Sequence, residues 1–248
     1  MKQYGLIGFP LSHSFSKKFF TDKFKNEQLS GCSYELYPLR SIDELPDLLH
    51  NTPNLSGLNV TIPYKESVIP FLTTSAPVVQ DIGACNCIRV AEGVLHGYNT
   101  DVIGFEQTLV PHLRPHHQKA LILGTGGAAK AVAWVLKKHQ IQFQYVSRQK
   151  NPQAIEYEEI SKEVLDRFTI VINTTPLGMQ PNVNASPSVN CNWMNQQHLC
   201  IDLIYNPAKT VFLEAAEKAG ATIENGLKML EIQAEESWKI WNNGGTSI

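Results

Sequence analysis

The amino-acid sequence predicts an α/β fold, and three observations carry that expectation. Strand-patterned and helix-patterned segments alternate along the second half of the chain, the pattern of βαβ units and a parallel sheet. One apolar strand, 120–123, runs directly into a glycine-rich turn and a helix-forming stretch. The composition is that of an ordinary globular protein: 248 residues, 43% hydrophobic and 18% charged, enough to bury one large core or two modest ones.

The elements follow in order. Residues 3–8 (QYGLIG) read as a short apolar strand, FPLSHSFS as a loop, and 17–28 as a helix. A strand is expected over 34–39. A helix over 41–52 has Ser41 as N-cap and Glu44 completing a capping box. LSGLNVTIP (55–63) is a third strand, and 67–83 is helical or irregular, ending at Gly83. NCIRV and VLHGYNT, separated by AEG, form a hairpin. The character changes between Asp101 and Leu113. Beyond it come strand, turn and helix over 119–139, then strands at 143–148, 168–176 and 199–207. A helix over 210–220 stops at a glycine, 221–225 is a last short strand, and 226–243 reads as one helix.

Bulk properties exclude several classes. The net charge of −2 gives no reason to expect nucleic acid or an anionic membrane as a partner. No apolar run approaches a membrane span, and the N-terminal residues lack the apolar core of a signal peptide. Five cysteines, an odd number, fit reduced thiols and a cytoplasmic location better than a disulfide framework. Cys85 and Cys87, near His96, have no second Cys/His pair at zinc spacing, so no metal is expected.

The turn at 124–129 matches G-x-G-x-x-[GA], with Gly124, Gly126, Gly127, Ala128 and Ala129. In such a turn the first glycine permits the tight bend and the second lets backbone approach a pyrophosphate. The residue at the third position lets helix and strand pack closely, while the helix N-terminus faces the anion. This points to a Rossmann-type dinucleotide domain. The following strand ends in YVSRQK, without the acid that would take a ribose 2′-hydroxyl. Ser147, Arg148 and Lys150 suit a 2′-phosphate instead, so NADP is expected over NAD.

A second informative stretch is SGLNVTIPYKE (56–66). Alternation places Leu58, Val60 and Ile62 toward a core and Asn59 and Thr61 on the opposite face. Pro63 ends the strand, and Lys65 follows just beyond its C-terminal end.

Taken with GFPLSHSFS (8–16), IGACNC (82–87), GYNTDVIGF (97–105), LGTGGAAKA (123–131), INTTPLGM (172–179), IDLIYNP (201–207) and ENGLKMLEIQA (224–234), this stretch makes the chain resemble the shikimate dehydrogenase family over nearly its whole length. The resemblance implies an N-terminal α/β substrate domain with a mixed sheet (1–100 plus 227–248) and a Rossmann-type NADP-binding domain (101–226). It implies Lys65 and Asp101 as the catalytic pair. Ser14 and Ser16 match the holders of the substrate carboxylate, and Asn59, Thr61, Asn86, Tyr205 and Gln233 match residues that face or complete the substrate pocket. On the cofactor side, Gly124 to Ala128 match the pyrophosphate loop and Ser147, Arg148 and Lys150 the adenosine-phosphate segment. Thr174, Leu203 and Gly226 fall where the family lines the nicotinamide half. The chain departs from many relatives in three places: Ser147-Arg148-Gln149 replaces Asn-Arg-Thr, cysteines stand at 85 and 87, and Lys228 replaces a glycine.

The implied reaction is the reversible NADP(H)-dependent reduction of 3-dehydroshikimate to shikimate. It would be carried out by a monomer or homodimer whose partners are small molecules. The residue types agree with it. A polyhydroxylated ring needs side chains that both donate and accept, which Ser, Thr, Asn and Gln provide. Oxidising an alcohol needs a hydride acceptor, which is the cofactor, and a positioned acid/base, which the Lys65–Asp101 pair provides as one coupled unit. Two rivals remain: a quinate/shikimate dehydrogenase of looser choice, and a non-catalytic nucleotide sensor, which would not need the pair.

Overall fold

The computed structural model describes residues 1–11 and 14–243. Ser12 and His13, within the expected loop before the first helix, lie outside the described residues. The chain divides into two compact units, Met1–Ile103 with Glu231–Ile248, and Gly104–Leu230.

The first unit is built on a mixed six-stranded sheet. Its strands are β1 (Lys2–Gly8), β2 (Cys32–Pro38), β3 (Leu55–Val60), β4 (Thr74–Ser75), β5 (Cys87–Ala91) and β6 (Val94–Tyr98), in the order β2-β1-β3-β5-β6-β4. β1 pairs parallel with β2 and β3, whereas β5 pairs antiparallel with both β3 and β6. β1 lies between two parallel partners and is buried from Tyr4 to Gly8, which is why it reads as an apolar run without alternation. The helix α1 (Phe15–Asn26) starts two residues before the expected position because Ser14 caps it, its Oγ accepting from Lys17 N at 3.4 Å. α1 buries Phe20 and Phe24, one turn apart, against Tyr4, Tyr34 and Trp241.

The expected capping box at Ser41 and Glu44 is present, but it caps a 3₁₀ turn, Ile42–Glu44; α2 (Leu45–Asn51) follows. The β5–β6 hairpin turns on Glu92 and Gly93, at φ 52° and 75°, the two positive values of a type I′ turn. α3 (Pro77–Ile82) ends at Gly83 in the left-handed region, φ 69°. α8 (Leu227–Asn243) packs Ala234, Ile240 and Trp241 into the core of this unit. Trp241 lies against Gly57, whose Cβ would collide with the indole ring, and Trp241 Nε1 donates to Ile88 O at 3.0 Å.

One expectation about β3 fails. The strand ends at Val60, not at Pro63, and Ile62 is 73% exposed although alternation assigned it to the core. Once ladder pairing stops, the period of two no longer governs which way a side chain points.

The second unit has six strands, all parallel: β7 (Lys119–Leu123), β8 (Gln142–Ser147), β9 (Ala154–Glu156), β10 (Ile170–Asn173), β11 (Leu199–Asp202) and β12 (Thr222–Glu224). Their order is β12-β11-β10-β7-β8-β9, the doubly wound order 3-2-1-4-5-6 when β7 is counted first. α5 (Gly127–Lys138) follows β7 and buries six residues, including Val132 and Leu136. α7 (Val211–Lys218), capped by Thr210, buries Phe212 and Leu213 and precedes Gly220 at φ 95°. Short elements the sequence pattern does not reveal are β4, β9, α4 (Asp101–Leu109) and α6 (Lys162–Arg167).

Candidate active site

In the first unit, the ends of β3 and β6 bring the expected polar residues together. Val60 N donates to Asn86 O at 2.8 Å, and Asn86 Oδ1 accepts from Thr100 N at 2.7 Å. Cys85 N donates to Lys65 O at 2.7 Å, which fixes the lysine backbone beside the segment carrying Asn86. Asp101 opens α4 just beyond β6, its N–H donating to Asn99 Oδ1 at 3.1 Å. The outcome is a Lys65 Nζ–Asp101 Oδ2 distance of 2.7 Å, with the lysine side chain 19% and the aspartate 9% exposed. A charge-assisted pair this short and this shielded is far more than a solvated surface contact.

Around the pair runs a buried polar network. Asn59, 4% exposed, has both amide protons in use: Oδ1 accepts from Tyr34 OH at 2.9 Å, and Nδ2 donates to Ser237 Oγ at 2.9 Å and Asn86 O at 3.4 Å. Asn86 Nδ2 donates to Thr100 Oγ1 at 3.1 Å. Thr100 Oγ1 lies 3.5 Å from Gln233 Oε1 and 3.4 Å from Ser237 Oγ. Ser237 Oγ in turn donates to Gln233 O at 2.8 Å. Ser16 stands in the first turn of α1. Burial holds the Tyr34 phenol well above its ordinary pKa, so it remains a neutral O–H. Thr61 follows β3, donating its N–H to Ile7 O at 2.9 Å, with its methyl against Gly8.

Lys65, Asp101, Asn59, Asn86, Gln233 and Ser16 thus gather in the first unit, and Ser14 is a helix cap beside them in sequence. Tyr205 belongs to the second unit, half-buried after β11. Tyr34, Thr100 and Ser237 were not singled out from sequence. Thr100 stands inside GYNTDVIGF, but nothing local marks Tyr34 or Ser237 as more than core residues.

In the second unit the expected cofactor residues follow the carboxyl ends of the parallel strands. Gly124 follows β7, Ser147 ends β8, Thr174 follows β10, Leu203 follows β11 and Gly226 follows β12 by two residues. The strand registers, Leu123 with Val146, Asn173 with Leu123, and Asn173 with Asp202, place the first four of these along one edge. The strand order reverses between β8 and β10, at β7, so Gly124 stands at the topological switch point. Its φ of 108° and the closeness of Thr174 Oγ1, 2.7 Å from where a Cβ would be, both require glycine. Thr174 Oγ1 is held by Leu123 O at 2.7 Å.

Whether a dinucleotide fits can be judged from this edge. A Cβ on Gly126 would project into open space, so glycine there leaves room for a ligand. α5 begins at Gly127 with no side-chain cap and no acid in its first turn, leaving its N-terminal amides and positive dipole end to an anion. Arg148 and Lys150 are exposed just past β8, where an adenosine phosphate would need cations. These residues fit NADP. Below the edge, Asp202 is fully buried, accepting from Thr210 Oγ1 at 2.6 Å, Asn173 Nδ2 at 3.0 Å and Ile204 N at 3.0 Å. Burial raises its pKa despite those bonds. It holds β10 and β11 in place beneath Thr174 and Leu203 and is a structural carboxylate. Among the described residues, no group of three or more His, Cys, Asp or Glu side chains could hold a metal ion.

A doubly wound nucleotide sheet, with a lysine–aspartate pair in its own polar surroundings on the other unit, defines the class: an α/β dinucleotide-dependent dehydrogenase. Comparison with known proteins narrows it. A family model for the shikimate dehydrogenase substrate binding domain matches residues 6–88. A shikimate dehydrogenase (NADP(+)) of Clostridium beijerinckii is 38% identical over 254 residues, spanning 97% of this chain and 92% of its own. One from Caldicellulosiruptor bescii is 35% identical over 258 residues, spanning 97% of this chain and 89% of its own. A crystal structure of shikimate 5-dehydrogenase from Thermus thermophilus, in complex with NADP(H) and shikimate, superposes with a TM-score of 0.86 at 28% identity, covering 98% of this chain and 94% of that one. The chain belongs to the shikimate dehydrogenase family.

Proposed function

We propose that the protein is an NADP(H)-dependent shikimate dehydrogenase, interconverting 3-dehydroshikimate and shikimate in the route to chorismate and the aromatic amino acids. The observation that carries this reading is the 2.7 Å Lys65–Asp101 pair set among polar groups suited to ring hydroxyls. A non-catalytic sensor has no use for such a pair.

In this reading the first unit is the substrate domain and the second the NADP domain. Ser14 and Ser16 take the substrate carboxylate. Thr61, Asn86 and Gln233 take ring hydroxyls, with Asn59 lining the same wall; Tyr205, on the second unit, is a further substrate residue in this reading. A site that pairs each hydroxyl rejects analogues lacking one, because its own buried polar groups are then left unpaired. Gly124, Gly126, Gly127 and Ala128 cradle the pyrophosphate at the start of α5. Ser147, Arg148 and Lys150 hold the 2′-phosphate, and Thr174, Leu203 and Gly226 line the nicotinamide half. When bound, the cofactor supplies the hydride acceptor for alcohol oxidation. Lys65 and Asp101 accept the hydroxyl proton as the carbonyl forms and return it in the reverse direction, acting as one coupled unit.

Among the described residues no helix is long and apolar enough to cross a membrane. The reading extends to a cytoplasmic monomer or homodimer that acts on small molecules, in keeping with a net charge of −2 and five free cysteines. The test is to follow formation of the reduced cofactor by absorbance with shikimate and then quinate, each with NADP and NAD. Turnover should be fastest with shikimate and NADP. Equal rates with quinate would favour the quinate/shikimate reading, and no turnover with any pair would overturn the enzyme reading.

A further inference from the structure

We propose that the buried carboxylate of Asp202 makes the second unit selective for cofactor charge. It favours the oxidised cofactor, whose nicotinamide ring is a cation, over the reduced one, whose ring is neutral. The inference rests on the reading of Thr174, Leu203 and Gly226 as the nicotinamide lining and goes beyond it.

Those three residues converge on one carboxylate. Asp202 ends β11 directly before Leu203. Its Oδ1 accepts from Asn173 Nδ2 at 3.0 Å, and Asn173 ends β10 directly before Thr174. The same Oδ1 accepts from Ile204 N at 3.0 Å, and Ile204 O accepts from Gly226 N at 3.1 Å. Leu203 is thus the chain neighbour of Asp202, Thr174 follows one of its bonded partners, and Gly226 is bonded to another.

The contacts also fix its ionisation. Ile204 N can only donate. The Asn173 amide cannot be turned, because its Oδ1 takes the Thr175 N–H at 3.0 Å and the Thr175 O–H at 2.6 Å. Oδ1 of Asp202 therefore meets two protons and carries none. Oδ2 lies 2.6 Å from Thr210 Oγ1, the length of an O–H···O⁻ bond. Thr210 caps α7, so the carboxylate stands at the positive end of that helix. Burial raises its pKa, and the three hydrogen bonds oppose the rise. The anion is held by dipoles alone. Among the described residues no Lys or Arg side chain pairs with it, and the nearest lysine in sequence, Lys209, is taken by Glu217 at 2.7 Å.

Asp202 is 0% exposed, so its charge is poorly screened by water and salt and acts on the strand edge above it. The two cofactor forms carry the same phosphates and differ in charge only at the ring. A negative charge beneath the lining residues therefore stabilises the oxidised complex and leaves the reduced one nearly unchanged. A carboxylate that only tied β10 to β11 would affect both alike.

The test measures Kd for NADP⁺ and NADPH by calorimetry on the full-length protein, with 2′-phospho-ADP-ribose, which lacks the ring, as control. Asp202→Asn keeps Oδ1 for the two N–H donors and offers an N–H to Thr210 Oγ1, so the shape of the site is retained. It should raise Kd for NADP⁺ relative to Kd for NADPH by about threefold or more, the scale of one partly screened charge. Binding of 2′-phospho-ADP-ribose should not change. Thr210→Val removes a bond and keeps the charge, and should leave the ratio of the two constants unchanged. An unchanged ratio in Asp202→Asn, an equal shift in Thr210→Val, or an equal loss of 2′-phospho-ADP-ribose binding overturns the charge role alone. If Gly226→Ala weakens neither cofactor, the reading of the lining falls, and this proposal with it. Where Asp202→Asn fails to fold, the wild type decides. By linkage, the Asp202 pKa followed by carboxyl ¹³C NMR should be lower in the NADP⁺ complex than in the NADPH complex; equal values overturn the proposal.

Discussion

Lys65 Nζ lies 2.7 Å from Asp101 Oδ2, across 36 residues of chain, and both side chains are largely withdrawn from solvent. One partner follows β3 and the other follows β6, strands joined through β5. The sheet therefore builds the pair, and each residue is the other's nearest charge. Lys65→Ala is expected to lower kcat about a hundredfold or more, the scale of lost general acid–base catalysis, with a much smaller change in KM for shikimate. Steady-state kinetics checks this, and near-normal turnover would refute the assignment.

Arg148 projects into solvent just beyond Ser147, at the end of the strand next to the glycine-rich turn. Arg148→Ala should raise KM for NADP by about tenfold or more, the loss of a charge-assisted contact, and leave KM for NAD nearly unchanged. The measurement is a pair of cofactor titrations at saturating shikimate. A parallel rise for both cofactors would show that the arginine does not read the 2′-phosphate.

Gly226 is buried with its Cα against the Leu203 backbone, and a Cβ there would collide with the Leu203 carbonyl. Backbone cannot yield as a flexible side chain does. Gly226→Ala should destabilise the second unit by about 1–3 kcal/mol, the cost of overpacking. It should also impair NADP binding, because Leu203 and Gly226 must move apart. Urea unfolding and a cofactor titration test the two effects, and wild-type values in both would show that the contact is relieved cheaply.

His117 is buried in the second unit with its tautomer fixed: Nδ1 accepts from Arg114 N at 3.1 Å, so Nε2 carries the proton and donates to Gln197 O at 3.0 Å. Burial depresses its pKa below 6.5, and the neighbouring His116 adds to the effect. In the window below 6.5 the unfolded chain therefore binds more protons than the folded one. The stability due to the neutral ring is present above that value and is lost as pH falls through the depressed one. Its contribution to the slope is at most about 1.4 kcal/mol per pH unit. Denaturant unfolding at about pH 7.5 and about pH 5.5 should show the wild type losing stability, and His117→Gln should lose less. Equal losses would place the pH sensitivity elsewhere.

Much of the second unit was legible because its signals are local. Gly124 must be glycine for a φ of 108°, α5 starts where the G-x-G-x-x-A pattern puts it, and Arg148 and Lys150 stand where an acid would mark NAD. Less of the first unit's site was legible. Lys65 and Asp101 were found through the motifs around them, whereas Tyr34 and Ser237 were missed. An isolated tyrosine on a strand and a serine on an amphipathic helix carry no mark of a buried hydrogen-bond chain. β4 and β9, of two and three residues, were missed because elements so short have no periodicity and exist only by pairing with a neighbour.

The sequence by itself determined what short-range stereochemistry controls: the βα alternation, the capping box at Ser41, the glycines at 83, 124 and 220, and the polar residue types that a hydroxylated acid requires. Only the tertiary structure decided how those polar groups are spent. Alternation put Ile62 inside and set Asn59 on the substrate-facing side, yet Ile62 is solvent-exposed and Asn59 is consumed by Tyr34, Asn86 and Ser237. A strand's period fixes the face a side chain leaves from. Which partners meet it there depends on residues as far as 178 positions away, and no local pattern encodes them.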